Sequence, residues 1–152
     1  MEFKIEEVED FKVIGISVRV NMNTAGELIG GLWQRWFMEG LEAKIPNKES
    51  NDKYNIYTNY EGDHTKPYTC FLGCRVSSVE KIPDKMQAIE IKGGKYAVFD
   101  VHGKIPDVVL ETWSRIYETN EFERRFAADF DVYGEAASNP EDARLKTCVS
   151  IK

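Results

Sequence analysis

The second half of this 152-residue chain echoes its first, and that repeat limits the folds open to it. Phe11-Lys-Val-Ile-Gly-Ile16 lines up with Gly94-Lys-Tyr-Ala-Val-Phe99, and Leu32-Trp-Gln-Arg-Trp-Phe37 with Thr112-Trp-Ser-Arg-Ile-Tyr117. Tyr54-Asn-Ile-Tyr57 matches Phe130-Asp-Val-Tyr133, and Thr69-Cys70 matches Thr147-Cys148. The offsets, in order, are 83, 80, 76 and 78, all near half the chain. Neither half could bury a sheet face alone, so the repeat predicts two β-α-β-β units paired across a pseudo-twofold axis. The expected fold is therefore α+β: one mostly antiparallel sheet, two long helices on one face, and a groove between them. No Pro/Ser/Gly linker divides the sequence, so residues 1–152 read as one domain, with repeats at about 1–79 and 80–152.

Local patterns place the elements. A β-branched run predicts a strand over Phe11–Val20. Thr24-Ala-Gly-Glu27 has the form of a capping box. Behind it, Leu28, Ile29, Leu32, Trp33, Trp36, Phe37 and Leu41 recur at helical spacing, predicting a helix over Thr24–Ala43. Aromatic-rich strands follow over Tyr54–Asn59 and Tyr68–Val76. The second half reads as a strand over Lys95–Val101, a helix over Pro106–Glu118, and strands over Asp129–Tyr133 and Leu145–Ile151. Pro106 suits a first helical position. Gly134–Asp142 reads as a polar loop.

Composition narrows the functional classes. With 20 Lys+Arg against 26 Asp+Glu, the net charge of −6 argues against a nucleic-acid partner for this chain alone. No apolar run approaches the ~18 residues of a membrane span. The Met1-Glu-Phe-Lys-Ile start lacks a signal-peptide pattern, and three sparse cysteines suit free thiols in a cytoplasmic protein. Cys70-x3-Cys74 has no metal-ligand spacing, and His64 and His102 fall in expected loops. Cys70 and Cys74 read as small buried hydrophobes. No phosphate-binding glycine motif or nucleophile elbow is present, so no metal and no cofactor is expected. Gly30-Gly31 lies within the first helix and suggests close helix–sheet packing.

The unusual inventory is aromatic: three Trp, seven Tyr and eight Phe. Trp33 and Trp113, and Tyr57 and Tyr133, fall at equivalent places in the two halves. Tyrosine hydroxyls need partners when buried, which suits the wall of a groove better than a sealed core. Asp131 stands mid-strand, and alternation puts Asp129, Asp131 and Tyr133 on one face, Phe130 and Val132 on the other. If the Phe/Val face is the core, Asp131 is solvated. If the Asp/Tyr face lines the groove, its carboxylate points in among π-faces, within reach of Tyr133 or Tyr57, a combination that attracts organic cations.

These segments resemble the GyrI-like effector-binding family, especially its integron-associated branch. The carriers are Val13-Ile-Gly-Ile-Ser-Val-Arg-Val20, Leu32-Trp-Gln-Arg-Trp-Phe37, Tyr68-Thr-Cys-Phe-Leu-Gly-Cys-Arg-Val76, Gly94-Lys-Tyr-Ala-Val-Phe99 and Asp129-Phe-Asp-Val-Tyr133. The resemblance implies a ligand-sensing domain of the kind found in AraC-type and MerR-type regulators or standing alone, with an aromatic pocket for lipophilic cations around an acidic residue. The family's acid is typically Glu in a Phe-Glu-x-Tyr pattern; here the matching residue is Asp131, one methylene shorter. With no DNA-binding segment in view, a complete transcription regulator is not expected.

The leading expectation is a stand-alone cytoplasmic protein that binds aromatic or lipophilic cations through Asp131, Tyr133, Tyr57, Trp33, Trp36, Phe37, Tyr68 and Trp113. A second is a hydrolase of cyclopropane-containing toxins, as in some stand-alone relatives, with Asp131 as general base. A third is an interaction module that sequesters a partner protein through its acidic surface.

Overall fold

The computed structural model describes residues 2–152; Met1, the first position of the expected first repeat, lies outside them. Eight strands form one open antiparallel sheet: β1 (Lys4–Val8), β2 (Phe11–Val20), β3 (Lys53–Thr58), β4 (Tyr68–Val76), β5 (Gln87–Ile91), β6 (Gly94–Gly103), β7 (Ala128–Tyr133) and β8 (Ala143–Ser150). Their spatial order is β1-β6-β8-β7-β3-β4-β2-β5. Helix α1 (Ala25–Met38) follows β2, and α2 (Asp107–Glu118) follows β6. Both helices pack on the sheet face that carries Tyr57, which touches the cluster under each of them.

The pairing registers repeat across the seam between β3 and β7. Moving every residue by 83 carries the pair Lys4↔Val98 onto Gln87↔Gly15, and Val8↔Gly94 onto Ile91↔Phe11. The first strand of each half therefore pairs with the long strand of the other half. At the seam, a shift of 76 carries Tyr57↔Asp129 onto Tyr133↔Lys53, and the pair Asn55↔Asp131 onto itself. Asn55↔Leu72 corresponds to Asp131↔Thr147, so β4 and β8 are related by 75 rather than by the 78 that the shared Thr-Cys suggested. Cys70 accordingly sits on the helix face, and Cys148 on the opposite one.

That opposite face is a core as well. Phe11 on β2 and Phe130 on β7 have ring centroids 5.4 Å apart, although two strands separate them. In a flat sheet such strands would lie about 14 Å apart, so the sheet must bend around a second apolar layer. Val13, Ile56, Phe71, Tyr96 and Val98 fill that layer. Gly15 and Gly73 pair across β2 and β4, where backbones approach too closely for side chains: a Cβ on Gly15 would lie 2.0 Å from the Leu72 carbonyl oxygen.

Several local expectations change. Strands β1 and β5 had no counterpart in the sequence reading, and each half is β-β-α-β-β. The first helix stops at Met38 because Gly40 adopts the left-handed conformation (φ 58°), and Leu41–Lys44 continue as a 3-10 turn. No capping box forms: the Thr24 hydroxyl accepts the Asn21 N–H at 3.0 Å, and the Asn21 side chain accepts N–H groups of Asn23 and Thr24. Pro106 is the cap residue of α2, not its first residue. His102 lies in β6 rather than a loop. Within the polar loop, Glu135–Ala137 form a short 3-10 helix.

Candidate functional site

A cavity of about 430 Å³ opens between α1 and α2 over the centre of the sheet. Its α1 wall is Ala25, Gly26, Ile29, Gly30 and Trp33; its α2 wall is Val109, Leu110, Trp113 and Tyr117. Tyr57 and Asn55 of β3 and Tyr133 of β7 form the floor, with Tyr60, His64, Tyr68 and Arg124 at one end. The helical glycines are not close-packing devices: a Cβ on Gly26, Gly30 or Gly31 would meet nothing within 4 Å, and Gly26 and Gly30 leave room for the cavity.

The ring pairs at the seam obey the same exchange as the strands. Tyr57 meets Trp113 edge-on at 5.2 Å and 77°, and Tyr133 meets Trp33 edge-on at 4.9 Å and 78°. Each tyrosine thus packs on the tryptophan of the opposite half.

Asp131 lies beneath this layer, fully buried. Thr147 donates to its Oδ1 at 2.6 Å, and Tyr57 donates to Oδ2 at 3.0 Å. Trp113 Nε1 donates to both oxygens at 3.2 Å. Tyr57 in turn accepts from Asn55 Nδ2 at 2.9 Å, and Asn55 Oδ1 accepts from the Cys70 thiol at 3.0 Å. Burial pushes the Asp131 carboxyl up to about 6, against the pull of its three donors. Burial, and then the Asp131 charge, hold the Tyr57 and Tyr133 hydroxyls well above the usual phenol range.

Asp129 is a second fully buried carboxylate on the same face. It accepts from the Ser150 backbone at 2.7 Å and the Ser150 hydroxyl at 2.9 Å, and from Tyr60 at 2.6 Å. Arg124 pairs with it at 2.7 Å, its guanidinium lying 4.2 Å from the Phe126 ring centre. His64 stacks on Tyr117 at 3.9 Å; burial and the Arg124 charge lower its pKa.

Of the expected site residues, the structure brings Trp33, Tyr57, Tyr68, Trp113 and Tyr133 together in the cavity wall. Three expected site residues lie elsewhere. Trp36 is 1% exposed and belongs to the core beneath α1, because its side of the helix faces the sheet. Phe37 is 64% exposed and borders a neighbouring hollow of about 800 Å³ with Trp33 and Tyr133. Asp131 is on the helix face but does not point into the groove; Tyr57 and Trp113 seal it off. Both alternatives for Asp131 assumed that only one sheet face is buried, whereas both are. The sequence reading missed Tyr60, Tyr117, His64 and Arg124. Tyr117 falls at helical spacing with Val109, Leu110 and Trp113, a pattern that does not separate a cavity wall from a core. Arg124 sat in Glu-Arg-Arg-Phe, indistinguishable from a solvated charge run.

Residues 4–149 match the family described as integron-associated effector binding protein. The chain belongs to this family. It is also similar to YobU of Bacillus subtilis (strain 168), a protein named for transcriptional regulation, with 29% identity over 127 residues, 82% of this chain and 79% of that protein. Among solved structures, SAV2435 bound to tetraphenylphosphonium has a TM-score of 0.84 at 19% identity, covering 100% of this chain and 94% of that one. The integron cassette protein VCH_CASS2 from the mobile metagenome of Vibrio cholerae has a TM-score of 0.78 at 22% identity, covering 99% and 95%. These structures share the α+β fold with this chain. Among the described residues no His/Cys/Asp/Glu cluster is arranged to hold a metal, and no helix is long and apolar enough to cross a membrane.

Proposed function

We propose that the chain is a single effector-binding unit, residues 1–152, that takes aromatic or lipophilic cations into the cavity between α1 and α2. The observation that carries this reading is a carboxylate buried directly behind the aromatic floor. Tyr57 and Trp113 both donate hydrogen bonds to Asp131, so electron density is pushed toward their rings. A cation over such rings gains ~0.5–2 kcal/mol per ring, more where water is excluded. The charge is read through the rings, not by direct contact. The shorter reach of Asp131 compared with the family's usual Glu suits that indirect role.

The cavity volume of about 430 Å³ is that of a drug-sized ligand site. SAV2435, which shares the fold, is bound to tetraphenylphosphonium, a lipophilic aromatic cation. The binding residues in this reading are Trp33, Tyr57, Tyr68, Trp113 and Tyr133, with Asp131 as the source of the field. Free buried Cys70, Cys74 and Cys148 fit a cytoplasmic setting.

The test is a calorimetric titration with tetraphenylphosphonium and with its isostere of opposite charge, tetraphenylborate. The cation is expected to bind at least about tenfold more tightly, the equivalent of ~1.4 kcal/mol. Equal affinity, or preference for the borate, would remove the electrostatic basis of this reading.

A further inference from the structure

The end of the cavity holds a feature that cation recognition does not use. Arg124 forms part of the wall, and its side chain is 8% exposed. Nη2 is engaged with Asp129 at 2.7 Å, but no acceptor of the protein reaches Nε or Nη1, both of which are buried. Rings surround the guanidinium: Phe126 at 4.2 Å, Trp113 at 5.7 Å, Tyr60 at 5.9 Å and Tyr117 at 6.0 Å from its central carbon.

Those rings satisfy the faces of the guanidinium. They do nothing for its edge, where the five N–H bonds lie in the plane and need oxygen acceptors. A charged donor left unpaired in a desolvated site is costly, so a partner that supplies the missing acceptor is favoured strongly. His64 does not compete with it as a cation, since burial and the Arg124 charge both favour the neutral ring.

We propose that Arg124 is the anion-accepting end of this cavity, so that its ligands are aromatic compounds carrying a carboxylate or comparable acceptor in addition to a cationic body. The assignment rests on the cavity being the ligand site as proposed above. The site is bipolar: the Asp131 field acts through Tyr57 of the floor and Trp113 of the α2 wall, and the unpaired N–H groups of Arg124 stand at the Tyr60–Tyr117 end. A purely hydrocarbon cation would use only the first.

The test uses the full chain and three probes: rhodamine B, a zwitterion with a free carboxylate; its ethyl ester, which is cationic only; and 1-anilinonaphthalene-8-sulfonate, which is anionic only. Wild-type protein is expected to bind the acid about tenfold more tightly than the ester, the fold-change equivalent to ~1.4 kcal/mol. Arg124→Gln should abolish that ratio while leaving the ester within about threefold of wild type, or ~0.7 kcal/mol. Should Arg124→Gln fail to fold because Asp129 loses its cation, Arg124→Lys decides: it keeps the charge but not the fork, and the ratio should fall at least threefold, or ~0.7 kcal/mol. A wild-type ratio of one or less, or a ratio unchanged in the folded variant, overturns the assignment. The ester alone reports on cation recognition. Failure of the ester with binding of the acid or the sulfonate, lost on substitution, would sink the cation reading and uphold Arg124. Failure of both the acid and the sulfonate overturns Arg124, whatever the ester does.

Discussion

Asn55 and Asp131 face each other across the seam between β3 and β7, and the exchange of halves carries each onto the other. One position of the sheet axis is thus filled twice, once by a neutral amide and once by an acid of nearly the same shape. The amide donates to Tyr57, and Tyr57 donates to the acid, so the pair is joined by a single hydroxyl. A carboxylate on both sides would put two buried like charges in register. The asymmetry between the halves is what lets one acid exist there at all.

Replacing Asn55 by Asp should therefore be severe. The new carboxylate would lose the Nδ2 donor to Tyr57, confront Asp131, and set an acceptor against the Tyr57 oxygen. A destabilisation of about 3–5 kcal/mol is expected at pH 8, as for other unpaired buried charges. It should lessen at pH 5, where one proton can be shared between the acids. Urea unfolding at the two pH values measures both quantities.

Asp131 itself sets a pH dependence. Its folded pKa of about 6 lies above its ordinary 3.8, so the fold holds the proton more tightly than the unfolded chain does. The resulting stabilisation is fully present below about pH 4 and is lost as pH rises through about 6. Asp131→Asn cannot titrate. Between pH 4 and 7 wild type should lose about 2 kcal/mol relative to this variant. Parallel unfolding curves across that window would show that the carboxyl is not held as described.

Much of this architecture was legible. The strand Tyr68–Val76 and the offset of 83 between the long strands came directly from the sequence, and the same offset relates β1 to β5, which went unseen. Those two edge strands were hidden because Lys4-Ile-Glu-Glu-Val8 is almost wholly exposed, and Gln87-Ala-Ile-Glu-Ile91 carries no clean alternation. The repeated Thr-Cys misled because a dipeptide carries no register: Cys70 and Cys148 lie on opposite faces. Alternation put Asp131 on one face with Asp129 and Tyr133, but which way that face turns and how deeply it is buried depend on what α2 lays over it, and that is a property of packing. The surroundings of Arg124 likewise exist only once Tyr60 and the α2 rings Trp113 and Tyr117 have joined its near neighbour Phe126.

The glycines separate two kinds of crowding. Gly15→Ala should cost on the order of 4 kcal/mol or more, because its Cβ would strike the backbone of β4. Gly30→Ala meets nothing within 4 Å and should stabilise α1 by about 0.5–1 kcal/mol through helix propensity. The same methyl enters the cavity, so tetraphenylphosphonium should bind more weakly to this more stable protein. Thermal unfolding and titration on one preparation would show whether stability and affinity move in opposite directions.

Trp33 and Trp36 stand three residues apart on α1 and should respond to substitution in opposite ways. Trp33 is half-buried, packs edge-on against Tyr133 and stacks on Phe37 at 5.9 Å. Its ring borders both the 430 Å³ cavity and the 800 Å³ hollow beside it. Trp33→Ala would join the two spaces and remove one wall of the site. Its cost in stability should be modest, whereas affinity for a compact cation should fall about tenfold, as when an aromatic anchor is truncated. Trp36 is sealed against the sheet with Leu32 and Leu41 and touches neither space. Trp36→Phe leaves a void in that layer and should cost about 1–3 kcal/mol of stability. Its effect on affinity should stay within about twofold, since no cavity wall moves. Its indole N–H has no hydrogen-bond partner to lose, so the cost is one of volume. If Trp36→Phe weakens the cation as much as Trp33→Ala does, the ligand site is not the cavity between the helices.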